Sequence, residues 1–518
     1  GLHVTTESVG AAVVVENTGD IVVEADGPLL LPVDPVTAFS ATTTDRNATV
    51  DVTNAGRLIG SDRGLDLLGS FGGTVAVTNR SFEAGPRPEI AATRLAFGEG
   101  DARGLSADAI GLRVRSDGDV SVVNDGLIRG PTTAVGITAG KLDLQNLAGG
   151  ELRGNGLASP DAINEALVAA AVVANLHPSP EVGDAGITIT NAGLIRTLDE
   201  GADPATVDGS EGVAVLVSGP GAQIFNQAGG VIRGDVYLLA TGVGEARSTL
   251  SNAGTIGGTV MTGVDTAADL GLRRPGELPV EDLRIENSGT LRDAAVLVDG
   301  TAVANLDIEN EGLMESGSDA QAIFGSGEAF RFVNAPGSSF RAPDGKGVRA
   351  ITAFERGEAG QFTFVNLGSM TTSGAAFEAG LVVADGPDVS LLMSNGGSMT
   401  VGGEGAAAMH LQVEGASGAE GGLASPSNTE DLVEALPVPS EGGAVQNLGT
   451  IVLQGANAAG IRSTGTARTL FANEGTIGGA ADGQIGMQIE GIAGANQNYV
   501  LNGRTIQLEG ANVVGMKV

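Results

Sequence analysis

The chain has 518 residues with 83 Gly, no Cys and no Trp, and 62 acidic against 28 basic residues give a formal net charge of −34. The lack of Cys excludes disulfides, zinc–thiolate sites and thiol catalysis, and the negative charge opposes nucleic acid and anionic membrane surfaces, which call for clustered Lys and Arg. Hydrophobic content of 42% permits a large core, and with aromatics at 3% that core is expected to be Val, Ile, Leu and Ala without aromatics, which suits a narrow, regular interior.

The chain opens Gly1-Leu2-His3-Val4 with no signal-peptide pattern, so the numbering starts after a cleavage or inside a longer chain. No stretch approaches the ~20 apolar residues of a membrane helix. The segment "VGAAVVVENTG" at 9–19 then brings the first copy of a phrase that returns as "VTNAGRLIG" (52–60), "ITNAGLIRT" (189–197), "LSNAGTIGG" (250–258), "IENSGTLRD" (285–293) and "FANEGTIGG" (471–479). Anchored on its Asn, the phrase has sixteen copies: Asn17, Asn54, Asn79, Asn124, Asn146, Asn191, Asn226, Asn252, Asn287, Asn310, Asn334, Asn366, Asn395, Asn447, Asn473 and Asn502. The shortest spacings, 22 to 26 residues, define a unit of about two dozen residues; the longest, 45 and 52, contain insertions.

Two residues before the Asn every copy is apolar, and four after it twelve copies are apolar again; the arm is lost only at Asn79. Apolar positions two apart on both sides of a turn signal strand–turn–strand. Gly stands two after the Asn in eleven copies, as expected of a turn that demands positive φ. Stretches such as "AIGLRVRSDG" (109–118) and "GVAVLVSG" (212–219) supply a third strand. One three-strand unit cannot bury its apolar face, whereas stacked units can. The expected fold is all-β, one continuous right-handed parallel β-helix over 1–518 with about sixteen rungs, a rod of roughly 75 Å at ~4.8 Å per rung. Its Asn side chains form a structural ladder, hydrogen-bonded amide to amide along the axis, and Asn tolerates a left-handed turn. On this reading Asn252→Asp destabilises more than Asn428→Asp in a loop.

Insertions are expected at about 27–46, 155–184, 263–282 and 417–442. In the first, Leu29, Leu30, Leu31 and Phe39 read as a flap over an edge. "SPDAINEALVAAAVVANLHPSP" (159–180) reads as a helix capped by Ser159 or Asp161, with Ile163, Leu167, Ala170 and Ala174 on one face. "SPSNTEDLVEALPVP" (425–439) reads as a second short helix.

The Gly-rich "V-x-N-x-G-x-I" rungs resemble the passenger domains of bacterial autotransporters (type V secretion), from Val15 to Gly510, and the absence of Cys is similar to that family. The family's aromatic C-terminal membrane barrel has no counterpart in "TIQLEGANVVGMKV" (505–518). The resemblance implies an extracellular or outer-membrane-associated protein, joined to a membrane only through a barrel or anchor outside this segment.

Searches for chemistry return little. There is no G-x-S-x-G, P-loop or G-x-G-x-x-G. His3, His177 and His410 lack metal-spaced neighbours. Acidic pairs such as Asp62/Asp66 and Asp101/Asp108 resemble the general acidic surface. No catalytic, cofactor-binding or metal residues are expected; calcium is compatible with the charge but has no G-G-x-G-x-D motif. Arg233-Gly234-Asp235 spells a cell-attachment tripeptide, although "IRG" and "LRG" recur at 128–130 and 152–154. The expected function is a non-enzymatic surface protein acting in adhesion, self-association or a coat, with other surface proteins or glycans as partners and no nucleic acid. The alternative is a polysaccharide-active β-helix enzyme, a lyase or glycoside hydrolase. Neither end reads as capped, so either the natural chain continues or copies stack head to tail through residues such as Val513 and Val514, more strongly as salt screens the charge.

Overall fold

A computed structural model of the chain describes residues 2–6, 12–23, 37–43, 48–69, 73–81, 86–93, 109–154, 170–176, 186–197, 212–219, 221–239, 247–261, 282–293, 296–300, 303–317, 319, 321–354, 359–383, 388–415, 423–424, 443–465, 469–490 and 499–518. The chain forms two compact units, Gly1–Glu281 and Asp282–Val518, each described by itself. Among the described residues every regular element is a strand. Both units are right-handed parallel β-helices, and the repeat fixes their construction.

In the first unit a rung is three strands in sequence, such as Ile110–Arg115, Asp119–Asn124 and Leu127–Arg129, followed on the next turn by Thr133–Ala139, Lys141–Asn146 and Glu151–Gly154. Each strand pairs in parallel with its counterpart one rung on: Leu112 with Val135, Val122 with Leu144, Asn124 with Asn146 and Ile128 with Leu152. Three parallel sheets result. We term them first, second and third in chain order within a rung; the second carries the Asn. Alternation puts Val120, Val122 and Asn124 inside and leaves Ser121 and Val123 outside. The core is therefore a stack of like residues. The apolar residue two before the Asn is fully enclosed from Val52 to Leu250 in this unit.

The second unit repeats the plan from Asp282–Asn287 onward, with the apolar column running Ile285, Ile308, Phe332, Phe364, Met393, Val445 and Phe471. Here the expectation of a core without aromatics is corrected. Phe330, Phe332, Phe340, Phe362, Phe364 and Phe377 are all enclosed, with ring centroids 5.2 Å apart for Phe330–Phe364 and 5.8 Å for Phe332–Phe340. The Phe residues are few but concentrated on inward columns of neighbouring rungs, where they pack edge-on and tilted.

The asparagine ladder appears in both units with one geometry. In the first, the Nδ2 of each Asn donates to the Oδ1 of the next at 2.7–2.8 Å, in the order Asn17, Asn54, Asn79, Asn124, Asn146, Asn191, Asn226, Asn252. In the second, the series Asn287, Asn310, Asn334, Asn366, Asn395, Asn447, Asn473, Asn502 does the same over the same range. Nδ2 also reaches a backbone carbonyl of the following rung's third strand, as Asn54 does to Glu89 at 3.2 Å and Asn310 to Ser339 at 3.1 Å. The backbone carbonyl of each Asn accepts from the residue after the next Asn, as in Leu147 N to Asn124 O at 2.8 Å. One side chain thus ties the corner between two sheets and the rung beyond it.

Several sequence expectations change. None of the ladder Asn has positive φ, nor do the Gly residues two after them; among described non-Gly residues only Asn457 and Asn512 do. Those Gly residues are required by close approach instead. A Cβ on Gly449 would stand 2.1 Å from the Gly397 carbonyl oxygen, and one on Gly56 would stand 1.9 Å from that of Gly19. The helix expected at 159–180 is contradicted in its later part: Ala170–Leu176 is a first-sheet strand, with Val172 and Ala174 in register with Val135 and Ile137. Stacking enclosure outweighs the helix preference of an Ala-rich run. Phe39 is not a flap residue but fully enclosed in the strand Thr37–Thr43, so the insertions at 27–46 and 155–184 are shorter than expected. The arm thought lost after Asn79 is present, delayed to Glu89–Ala92, with Ile90 between Leu58 and Ile128. The segment 425–439, Asn428 and Leu29–Leu31 lie outside the described residues.

Asn124 is fully buried between two ladder partners, so Asn124→Asp removes a donor and buries a charge. The expected loss is about 3 kcal/mol in urea denaturation, against a change within about 0.5 kcal/mol for Gln454→Glu at an exposed turn. Comparable losses would contradict the ladder's role.

Candidate functional site

Beyond the ladder, the feature of the first unit with chemical potential lies on the outward face of its third sheet. The arm of each rung is apolar inward, at Ile128, Leu152, Ile195 and Ile232, and the next residue points outward. In four successive rungs that residue is Arg. Register pairs Arg129 with Arg153, Arg153 with Arg196, and Arg196 with Arg233. The column ends at Gly257.

A second outward column runs beside it, two residues earlier along each strand: Asp20, Arg57, Glu89, Leu127, Glu151, Leu194 and Val231. Its carboxylates brace the guanidiniums. Glu89 accepts from Arg129 Nε at 2.6 Å and from Arg57 Nε at 3.3 Å. Glu151 accepts from Arg196 Nε at 2.9 Å and from Arg87 Nη1 at 3.0 Å. Arg87 also donates to the Gly126 and Gly149 carbonyls, at 3.2 and 2.9 Å, which pins it to the turn. Burial works against the charged form of Glu151, yet hydrogen bonds and charge from Arg196 and Arg87 outweigh it and hold its pKa below the ordinary carboxylate value. Arg233 at the end of the column has no carboxylate partner among the described residues, and its Nε is buried without a hydrogen bond. Among the described residues the two outward columns bring Arg57, Arg129, Arg153, Arg196 and Arg233 beside Asp20, Glu89 and Glu151, and Arg87 joins them from the turn.

The other candidates resolve differently. Asp66 is held bidentately by Arg113 at 2.8 and 2.7 Å and by Arg63 at 2.8 Å, and both Asp62 and Asp66 are buried rather than part of the solvated acidic surface. Asp101, Asp108 and His177 lie outside the described residues. His3 is exposed beside Ser40 and Thr5. His410 sits on the first sheet of the second unit, in register between Glu378 and Arg462; burial lowers its pKa, partly opposed by Glu378. Glu378 is nearly buried and pairs with Arg349 at 3.2 Å. Among the described residues no three His, Asp or Glu side chains converge to hold a metal, and no helix is long and apolar enough to cross a membrane.

Arg233-Gly234-Asp235 forms a rung corner, not a projecting loop. Arg233 ends one strand and Asp235 begins the next. Gly234 has φ +113°, and a Cβ there would stand 2.5 Å from the Gly212 carbonyl oxygen. The Asp235 carboxylate accepts from the Thr259 backbone N–H at 2.9 Å. Sequence reasoning noted the recurrent "IRG" and "LRG" only to discount this tripeptide. The signal for the arginine column was the same recurrence, read by register: Arg one residue past the apolar arm in four consecutive rungs.

Compared with known proteins, the chain matches no family profile, no curated protein and no solved structure.

Because the folded pKa of Glu151 is depressed, its contribution is complete above the unfolded carboxylate value and is lost as pH falls through the lower folded value. Glu151→Gln should therefore cost about 1 kcal/mol at pH 7, partial exposure of the Arg partners moderating a charged hydrogen-bond pair, and the difference from the unmodified chain should shrink by pH 3. Urea denaturation at both pH values checks this; an equal loss at both would contradict it.

Proposed function

We propose that this chain is a non-enzymatic β-helical protein of the cell surface or extracellular medium, similar to an autotransporter passenger, acting in adhesion, self-association or a coat. The observation that carries the reading is where the repeat is uniform and where it varies. The interior recurs in every rung: the Asn and the apolar residue two before it. The outward positions change from rung to rung, as in the second-sheet column Val14, Asp51, Ala76, Ser121, Asp143, Thr188, Gln223, Thr249. A uniform interior with a varied exterior suits a scaffold that displays surface. The Cys-free composition and acidic charge support an exported, solvated protein, and the sequence resemblance supports the secretion class.

The test is expression in the native host with surface labelling, together with agglutination by purified chain and incubation with a panel of polysaccharides. Surface exposure, cell binding or self-association, and no release of oligosaccharides are the expected results. Oligosaccharide release that depends on a carboxylate of this chain would overturn the reading in favour of a glycan-active enzyme.

A further inference from the structure

We infer that the outward face of the third sheet in the second unit pairs with the same face of a second copy of this chain, the two β-helices running antiparallel. The inference deepens the self-association named above, and rests on it, by giving its surface and its register.

One outward column departs from the variation of the others. Register aligns Ser339, Ser369, Ser398, Thr450, Thr476 and Thr505 over six successive rungs. The fold does not itself call for a hydroxyl there, because the same position in the first unit holds Arg57, Glu89, Leu127, Glu151, Leu194 and Val231. From Ser369 to Thr505 the column is exposed. Ser339 and Ser369 bond to one another at 3.1 Å, whereas the hydroxyls of Ser398, Thr450, Thr476 and Thr505 meet no partner among the described residues. Two residues further along each strand stand Arg341, Thr371, Thr400, Val452, Gly478 and Gln507. Over the four rungs from Ser369 to Gly478 no outward strand position carries a charge, on a chain of net charge −34. The acids of the bordering turns in these rungs are Glu404, Glu474 and Asp482; Glu404 accepts from Asn457 Nδ2 at 3.4 Å and Asp482 from Ala511 N at 2.8 Å. Both turns beside this sheet are described in every one of the six rungs, the undescribed stretches all preceding second-sheet strands in the chain.

The face is complementary to itself. A two-fold axis along the strands, passing between Ser398 and Thr450, lays the hydroxyl column on its own copy. The facing pairs are then Ser398 with Thr450, Ser369 with Thr476 and Ser339 with Thr505. Each sets a Ser against a Thr, the smaller side chain leaving room for the methyl of the larger. A hydroxyl both donates and accepts, so the column can bond to itself without a charged partner. The same axis sets Thr400 opposite Val452, and Thr371 opposite the gap at Gly478. At both ends it brings Arg341, exposed and without an ion pair among the described residues, opposite Gln507 and beside the exposed Glu509, which accepts from Gln507 at 2.8 Å. The face is therefore neutral in its middle and complementary in charge at its ends. Both copies repeat at the same ~4.8 Å, so the pairing stays in step over the ~24 Å of six rungs, where a partner of another period would drift. The area is roughly a few hundred Å² per copy, at the low end of specific interfaces. Such a dimer is weak, and acts through many copies displayed together.

The chain has no Cys, so single Cys substitutions report proximity by disulfide formation. Whole chains carrying Ser369→Cys and Thr476→Cys are mixed and oxidised in air with copper phenanthroline at 0.15 M salt, where screening reduces repulsion between acidic copies. A cross-linked dimer with one of each variant is the expected result. Ser369→Cys alone should give at least tenfold less, since the two substituted positions then stand three rungs apart, ~14 Å. In sedimentation equilibrium Thr450→Glu, at an exposed position, should weaken dimerisation at least tenfold while melting like the unmodified chain. Arg341→Glu should weaken it severalfold, and adding Glu509→Arg to that variant should restore it. A chain that stays monomeric at its highest soluble concentration, equal cross-linking of Ser369→Cys with itself, or dimers indifferent to Thr450→Glu would each overturn the inference. The last of these would leave self-association standing through another face. Oligosaccharide release by a chain that dimerises as described would support the interface and overturn the non-enzymatic reading.

Discussion

The structure depends on one side-chain amide per rung. An Asn amide inside a close-packed β-helix has two N–H groups and one carbonyl that cannot reach water, and leaving them unmade would cost more than the ladder bonds are worth individually. Stacking identical residues in register solves the problem for all of them together. Each Nδ2 reaches the next Oδ1, as Asn366 does to Asn395 at 2.8 Å, and its remaining hydrogen reaches the following rung's backbone, as Asn366 does to Ser398 at 3.1 Å. All of these bonds run in the same direction along the chain, so their dipoles reinforce one another. The price is register: a rung that slipped by one residue would carry its Asn out of line and its apolar neighbours to the solvent face.

The close-packed turn follows from the same constraint. To stack Asn above Asn, the residues after them must also stack, and the Gly two positions on lies against the carbonyl of the rung beneath it. Of the three turns that are two residues longer, those after Asn226 and Asn334 put the Gly three on at positive φ, +87° for Gly229 and +84° for Gly337, whereas Gly149 after Asn146 does not take it. A comparable device appears between the third and first sheets late in the second unit, where Gly405, Asn457, Gly483 and Asn512 take left-handed φ in successive rungs. Asn is used in two distinct ways in the chain: extended and inward in the ladder, left-handed and outward in these turns.

Much of the fold was legible because a repeat reports one decision many times. The Asn, its apolar flank and the Gly identified the strands, the stacking and the ladder. What the sequence hid were cases where neighbours override local preference. Ala170–Leu176 reads as helix in isolation and is a strand because Val135 and Val215 lie in register with Val172 on either side. The arm after Asn79 was missed because a longer turn displaced it to Ile90. The Gly residues were identified correctly as turn residues but for the wrong reason, since a close approach between rungs cannot be seen in one chain segment. The arginine column was present as a spacing from the Asn, five residues in Asn124 and Asn191 and seven in Asn146 and Asn226, yet it becomes a surface only after rungs of unequal length are brought into register.

The central claim is that buried asparagine amides are hydrogen-bonded continuously along each unit. Hydrogen exchange of the side-chain amides, followed by NMR in chain labelled with ¹⁵N-asparagine, tests it most directly. The ladder account predicts that the Nδ2 protons of residues such as Asn124, Asn191, Asn310 and Asn395 are protected to the same degree as the backbone amides of their strands, while the amide of the exposed Asn457 exchanges at once. Rapid exchange of the interior side-chain amides alongside protected backbone amides would contradict it.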